Sequence, residues 1–558
     1  MKIIGANLGE TENGMILNDG GICLLNNEKI VITSEERITR KKYAGGFNKS
    51  LKRILDSEKI KIEDIDLFVF SSCCELPRKH INIENYDIPN EKIVYIPSHH
   101  LSHAYSTYFS SKFDEAIIMV IDNEGNIIKD LGERKFYDNE LEHMTYYIGK
   151  KNKIEFLERD EVLPNQIGIG DAYRYFTHYI GFPSYVYAGK TMGLAPYGDK
   201  EKYNNVKIFD FDDASGKITC RIENMYENCN DAIKKFFRNN YNIDIISPRT
   251  PIDDIKQEYA DLAYLIQKEL EEVLIKKVKY LVKKTGIKKL CIAGGVGLNS
   301  VANARILKET EIEDIFIVPA AGDTGQCLGN MYYGYYDILK GTKRIPFDSA
   351  YLGFSYTDTE IEEEIKKYKD IKYTKYKNFN ELNKRVAKDI VGGKIIARFD
   401  GRSEFGPRAL GNRSILMDPR KPENKDILNK RVKFRESFRP FAPSVLSEYS
   451  TEYFDLEQES PYMLLVGKVK KPNIIPAVTH VDTSARIQTV KKEDNLNYYD
   501  LINEFYMLTG VPVLLNTSFN INGEPIVETP GDALNSFATT NIDELAIGLY
   551  LVEKKVNL

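Results

Sequence analysis

Short apolar runs separated by turn residues open the chain: "KIIGANLG", "GGICLLNN" and "EKIVITSEER". Strands of this length bounded by Gly and Asn predict a β-meander. The runs "EAIIMVIDNEGN", "MTYYIGKK" and "NKIEFLER", within residues 115–158, repeat the theme. Two copies of a strand, a turn and a return strand predict a duplicated architecture, related by pattern rather than by identity. A different period follows. Tyr259, Leu262, Ala263, Ile266, Leu270, Val273, Leu274, Val278, Leu281 and Val282 recur every three or four residues and predict a helix from Glu258 to Lys284, stopped at Gly286. Then "KKLCIAGGVGLNSVANARIL" and "DIFIVPAAGDTGQCLGNMYYGYY" each read as a strand, a Gly-rich turn and a helix, the first helix starting near Asn299 or Ser300. Alternation of this kind implies α/β layers.

Around "KGTKRIPFDSAYLGFSY" the pattern resets, which places a boundary near Ile345 and predicts domains at 1–345 and 346–558. The second contains the helix "ELNKRVAKDIVGG", the strand "KIIARFDG", the helix "YYDLINEFYMLTG", the strand "VPVLLNTSFN" and a last helix capped by Thr529 with Pro530 and Asp532. The polar stretch 200–255 reads as an insertion or connection without a legible role.

A chain of 558 residues exceeds what one core supports. Its 42% hydrophobic and 28% charged residues describe an ordinary globular protein, and no apolar run nears the roughly 20 residues a bilayer span needs. "MKIIGANLGE" reads as a strand rather than a leader, so the expected location is the cytoplasm. Seven cysteines without a CxxC suggest buried thiols rather than a disulfide framework or a zinc site. With a net charge of −5 there is no global attraction to nucleic acid, so any anion site must be local.

Such a locality exists. "GRSEFGPRALGNRSILMDPR" carries Arg402, Arg408, Arg413 and Arg420, "KFRESFRPFAP" adds Lys433, Arg435 and Arg439, and Arg486 precedes "LLNTSFN" with Asn516, Thr517 and Ser518. Guanidinium forks and an ammonium suit phosphate, with hydroxyl and amide donors completing a cradle. The alternative is pairing with Glu404, Asp418 and Glu436 on a solvated face; the apolar flanks Phe405, Pro407, Phe438, Pro440 and Phe441 favour the cradle.

Three of the chain's 7 histidines fall in "SHHLSHAYSTYF". His99 and His103, four apart, share a helix face, whereas His100 points elsewhere. Such a pair suits a first-row divalent metal if oxygen donors join it, and Asp122 and Asp323, each ending a strand in a turn, are candidates. Helix-capping or solvated histidines are the open alternative. The turns "AGGVGLN", with Gly294, Gly295 and Asn299, and "GDTGQCLG" sit where strands pass into helices; exposed amides and the helix dipole suggest nucleotide binding, although βα turns need glycine anyway.

"EERITRKK", "HHLSHAYS", "GKTMGLAPYG", "AGGVGLNSVAN", "GDTG", "EFGPRALGNRSI", "FRESFRPFAPSVL", "THVDTSARIQTV" and "NTSFNINGEPIVETP", spread in order over nearly the whole chain, resemble the O-carbamoyltransferase family of nodulation-factor, cephem and aminoglycoside carbamoyltransferases. The resemblance implies an N-terminal actin-like ATPase domain, similar to the tRNA threonylcarbamoyl transferase, and a C-terminal YrdC-like α/β domain. It implies that the second domain makes carbamoyl-adenylate from carbamoyl phosphate and ATP, with Mg²⁺ accompanying the ATP, and that the first passes the carbamoyl group to an acceptor hydroxyl. Carried over by motif, His99, His103, Asp122 and Asp323 would hold a metal, for which Fe(II), Mn(II) and Zn(II) all suit two imidazoles and two carboxylates. Arg408, Lys433, Arg439, Arg486 and Ser518 would hold phosphates and the carbamoyl group, and Lys42 in "TRKK" matches a family lysine.

The chain departs from the family twice. "GETENG" stands where a His-Asp pair is usual, and "IDNEGN" where Asp-Gly and then Gly-Glu are usual, so Asn123 and Asn126 are the changed residues. These changes motivate an unusual acceptor or an altered second step. Two other readings remain: a tRNA threonylcarbamoylation-like enzyme using threonine and bicarbonate, and a nucleotide-binding regulatory subunit that has lost transfer. The acceptor's identity and homodimer formation stay open.

Overall fold

The computed structural model describes residues 1–9, 18–75, 88–129, 140–162, 166–183 and 185–555. Its chain divides into two compact units. The first comprises Met1–Lys29, Gly45–Phe47 and Lys61–Pro346, the second Ile30–Ala44, Asn48–Ile60 and Phe347–Leu558. The sequence division at Ile345 had given residues 30–44 and 48–60 to the first; local pattern cannot show which core a segment's side chains join.

One sheet contains β1 (Lys2–Asn7), β2 (Gly21–Asn26), β3 (Lys29–Ser34), β4 (Leu67–Ser71) and β5 (Ile93–Tyr95), in the order β3-β2-β1-β4-β5. After α1 (His99–Ser110), a second sheet contains β6 (Glu115–Ile121), β7 (Met144–Lys150), β8 (Lys153–Arg159), β9 (Lys289–Ala293) and β10 (Asp314–Ile317), in the order β8-β7-β6-β9-β10. In each, the central strand pairs antiparallel with its hairpin neighbour and parallel with the strand that follows a crossover. The meander predicted twice is therefore one topology used twice, the duplicated sheet of the actin-like ATPase fold. Burial of β4 and of most of β1 and β6 explains their unbroken apolar runs, since parallel pairs are covered on both faces.

The periodic helix is α2 (Gln257–Thr285), closed by Gly286 at φ 74°. α3 (Ser300–Glu309) and α4 (Gln326–Tyr333) follow β9 and β10. α1 and α4 pack so closely that a Cβ on Gly329 would stand 1.9 Å from the Ser102 carbonyl oxygen. That approach holds the histidine helix against the start of α4. Residues 200–255 contain a two-stranded hairpin and the helix Met225–Tyr241. No described helix is long and apolar enough to cross a membrane.

The second unit is built on a mixed eight-stranded sheet: β11 (Ile371–Lys375), β12 (Ile396–Phe399), β13 (Arg413–Met417), β14 (Ala442–Leu446), β15 (Gln488–Val490), β16 (Val513–Ser518), β17 (Glu544–Ile547) and β18 (Tyr550–Lys554). Their order is β11-β18-β17-β12-β13-β16-β14-β15. The predicted helices appear as α5 (Phe379–Val391), α6 (Leu496–Thr509) and α7 (Pro530–Thr539), the last with a reciprocal cap between Thr529 and Asp532. Ile390, Phe399, Leu416, Val445, Phe505, Leu514 and Phe537 belong to the core between sheet and helices.

Candidate functional site

The first candidate site grows from the N-terminus of α1. Ser98 caps that helix, its Oγ accepting from the Leu101 amide at 3.0 Å. The four-residue spacing turns both imidazoles to one side, as expected; the end of β6 brings Asp122 to meet them, and the turn Asp323–Gly325, beyond the end of β10, brings Asp323. His103 Nε2 lies 3.3 Å from His99 Nε2, 3.2 Å from Asp122 Oδ2 and 3.2 Å from Asp323 Oδ1, and His99 Nε2 lies 3.2 Å from Asp323 Oδ1. One donor atom from each of the four residues falls within 4.8 Å of all the others. His99 Nδ1 sits 3.2 Å from the Ser72 carbonyl oxygen, which fixes the tautomer that turns the Nε2 lone pair inward.

Burial disfavours the charged imidazoles, yet Asp323 and Asp122 outweigh it and hold His99 well above, and His103 above, the ordinary histidine value. Burial likewise opposes ionisation of the two carboxyls; the imidazoles reverse that, depressing Asp122 strongly and Asp323 to about 2. Asp122 Oδ2 is buried without a well-formed hydrogen bond. Two nitrogens and two carboxylate oxygens converging in a buried space fit a divalent cation, which would take the place of the imidazole protons.

Of the two departures, "GETENG" lies, after Gly9, at residues 10–14, outside the described residues. Asn126 is well placed: its Oδ1 accepts the His99 amide hydrogen at 2.7 Å and its Nδ2 donates to the Glu75 carbonyl at 2.9 Å. Asn123 contributes its carbonyl oxygen to His143 Nδ1 at 2.5 Å, and His143 also lies 3.3 Å from Asp171.

The glycine turn divides in role. Gly294 has φ 86°, and a Cβ there would stand 2.1 Å from the Ile121 carbonyl oxygen, so the position keeps the turn against β6. A Cβ on Gly295 would approach Asp122 Oδ1 at 3.1 Å, which puts this residue beside the cluster. Asn299 has its amide committed to protein: Oδ1 caps α3 through the Ala302 amide at 3.1 Å, and each end bonds Gln267 at 3.0 Å. The nucleotide role expected for Asn299 therefore competes with a complete structural one.

The four arginines of the opening motif separate cleanly. Arg402 donates to the carbonyls of Gly353, Ile30 and Leu352. Arg413 is fully buried, donates to those of Asp400, Asn412, Phe354 and Gly401, and stacks 3.7 Å from the Phe399 ring centre. Arg420 forks onto Asp418 at 2.7 and 3.0 Å. Glu404 gathers the amides of Leu410, Asn412 and Arg413 on one oxygen at 2.8 to 3.0 Å and so shapes the loop.

Only Arg408 is left to the cation cluster. Its Nε is buried and unbonded, as is that of Arg486. Burial and Arg439 push Arg408 down to about 10, burial and Arg439 push Arg435 down to about 9, and burial with Arg408, Arg435 and Arg439 pushes Arg486 far below its usual value. Lys433, from the turn after Leu428, is likewise depressed by burial, Arg435, Lys42 and Arg439. Its Nζ donates to the carbonyls of Ser518 at 2.5 Å and Asn520 at 3.0 Å. Lys42 is thus brought electrostatically beside this cluster, within the second unit. Arg439 is partly exposed, 3.8 Å from Glu436. Asn516 donates to Ala409 O and Ser444 Oγ, leaving its Oδ1 buried and unbonded, and Ser518 Oγ donates to Asn520 Oδ1 at 2.6 Å. Arg435, which lies 4.3 Å over Phe441, belongs to the same cluster; its spacing from Lys433 and Arg439 marked it only as one more cation.

Residues 86–331 match the family model described as carbamoyltransferase N-terminus, and residues 387–554 that described as carbamoyltransferase C-terminus. Nodulation protein NolNO of Sinorhizobium fredii is 32% identical across 97% of this chain and 79% of its own. The chain belongs to the carbamoyltransferase family. A 3'-hydroxymethylcephem-O-carbamoyltransferase of Amycolatopsis lactamdurans is 31% identical over 65% of this carbamoyltransferase and 64% of its own length. An uncharacterized protein of Synechocystis is 37% identical over 82% and 75%. Among solved structures, full-length HypF in a phosphate- and nucleotide-bound form covers 61% of this carbamoyltransferase and 56% of its own chain, at 10% identity and a TM-score of 0.35. The fold assignment rests on the repeated sheet order rather than on that match.

Proposed function

We propose that this carbamoyltransferase activates carbamoyl phosphate with ATP in its second, YrdC-like unit and transfers the carbamoyl group to an acceptor hydroxyl at the His/Asp cluster of its first. One observation carries the reading: the Nε atoms of Arg408 and Arg486 and the side chain of Lys433 are buried, with no described carboxylate offsetting them. Cations kept at that electrostatic cost await anions, and a triphosphate with carbamoyl phosphate supplies several.

Carbamate is a weak electrophile because its nitrogen donates into the carbonyl. Water first hydrolyses carbamoyl phosphate to carbamate and phosphate; a carbamate oxygen then attacks the α-phosphorus of ATP and expels pyrophosphate, which leaves AMP as the better leaving group. Arg408, Arg439 and Arg486 neutralise charge on the phosphoryl oxygens as it shifts. Lys433, tied to the two carbonyls, is held at a fixed place among them, and Lys42 adds positive potential. In the first unit His99, His103, Asp122 and Asp323 would hold a divalent metal, which when bound polarises the carbamoyl oxygen or lowers the acceptor hydroxyl's pKa. Ser72 and Asn126 keep His99 oriented for that duty.

The test is to supply carbamoyl phosphate, ATP and Mg²⁺, measure pyrophosphate, and search hydroxyl acceptors by mass for an added carbamoyl group. Pyrophosphate that depends on carbamoyl phosphate supports the reading; ATP binding without pyrophosphate favours the regulatory alternative.

A further inference from the structure

The His/Asp cluster has a fifth member that neither spacing nor composition marks. Gln326, the first residue of α4, is fully buried. Its side-chain Nε2 lies 2.9 Å from His99 Nε2, 3.2 Å from His103 Nε2 and 3.1 Å from Asp323 Oδ1. Those separations are as short as the ones among the ligand candidates themselves, 3.2 to 3.3 Å between His99, His103 and Asp323. The carboxamide is therefore inside the cluster rather than around it. Its Oε1 is buried and without a hydrogen-bond partner.

The amide N–H group now lies against the ligand candidates, 3.0 Å from His99 Nδ1 as well as 2.9 Å from its Nε2, and an N–H facing a cation is repulsive. The two ends of a carboxamide are nearly the same size, so a half-turn about the last side-chain bond exchanges them without moving the backbone. No bond is lost at the oxygen, because it has none. We infer that Gln326 turns its Oε1 into the cluster as a fifth, neutral oxygen donor and thereby sets the site's preference toward Mn(II) and Fe(II) over Zn(II). Zinc is content with four ligands in a tetrahedron, whereas ions that favour five or six ligands and harder oxygen donors gain from one more oxygen.

This inference rests on the reading of the cluster as a metal site, and the experiment separates the two. Purified metal-free wild type, Gln326→Leu and Gln326→Glu are titrated with Co(II) and followed by visible absorption, then with Mn(II) and Zn(II) in competition. Wild type and Gln326→Glu should show the weak absorption of five- or six-coordinate Co(II). Gln326→Leu should show the intense bands of four-coordinate Co(II), with its Mn(II)-to-Zn(II) affinity ratio lowered about tenfold. The glutamate variant guards against misreading a folding defect, since it keeps both shape and oxygen. An unchanged spectrum and ratio in Gln326→Leu overturns the role of Gln326 alone. Failure of wild type to bind any of the three ions overturns the metal reading of the cluster, and this inference with it.

Discussion

Asn126 Oδ1 accepts the amide hydrogen of His99 at 2.7 Å. The first amides of a helix have no partner within it, and this one is buried, so the side chain satisfies a group that would otherwise be stranded beside a candidate metal ligand. Asn126 stands where the resemblance led us to expect glutamate. The departure thus preserves a structural duty: an acceptor at that point keeps the histidine in place.

Asn126→Ala should lower stability by about 1–2 kcal/mol, the usual cost of a stranded donor. It should also weaken retention of Mn(II) several-fold. Asn126→Asp, which keeps the acceptor for His99 but loses the bond to the Glu75 carbonyl, should preserve Mn(II) retention while recovering only part of the stability. Thermal unfolding with and without Mn(II) checks this.

The separation of the four arginines predicts four different phenotypes. Arg408→Ala should raise the KM for carbamoyl phosphate or ATP at least about tenfold, the scale of one lost charge-assisted hydrogen bond, with little change in stability. Arg420→Ala should leave KM alone and cost about 1–2 kcal/mol of stability, because Asp418 is buried without it. Arg413→Ala strands four carbonyls and should cost about 3 kcal/mol or more. Arg402→Ala, losing three carbonyl contacts, should fall between those two. Denaturant unfolding beside steady-state kinetics sorts the four.

Lys433 predicts a pH dependence. Its folded pKa lies well below the ordinary 10.5, through burial first and neighbouring cations second. Between that depressed value and 10.5 the unfolded chain holds more protons than the native one, so the anion-free protein gains stability as pH rises through this window. A bound phosphate reverses the balance by favouring the ammonium. Phosphate binding should therefore take up protons and weaken as pH rises. Calorimetry in two buffers of different ionisation enthalpy measures the uptake, which should be lost in Lys433→Met.

Much of this was legible because it is local. The i, i+4 histidines, the strand end at Asp122, the cap at Thr529 and the stop at Gly286 follow from helix period and backbone chemistry alone; Asp323, expected at a strand end, instead opens a short turn beyond the strand that stops at Ile317. The repeated meander was legible for the same reason, since hairpins write their pattern in consecutive residues. What was not legible depends on partners distant in sequence. Arg402, Arg413 and Arg420 look like Arg408 until the carbonyls and the carboxylate that occupy them are seen. Asn299 read as a ligand-binding residue because its cap and its bond to Gln267, 32 residues earlier, are invisible in a turn motif. Gln326 was passed over because glutamine is rarely counted among metal donors, although it follows "GDTG" directly. Residues 30–44, which carry Lys42, belong with residues 48–60 to a unit whose remaining residues begin at Phe347.

The central claim, activation at the cation cluster and transfer at the His/Asp cluster, is tested most directly by carbamoyl phosphate-dependent pyrophosphate release in three proteins. Wild type and Asp122→Ala should release pyrophosphate alike, Arg408→Ala should release little at the same substrate concentrations, and only wild type should carbamoylate an acceptor at the full rate. Pyrophosphate release that survives in Arg408→Ala but disappears in Asp122→Ala would contradict the account.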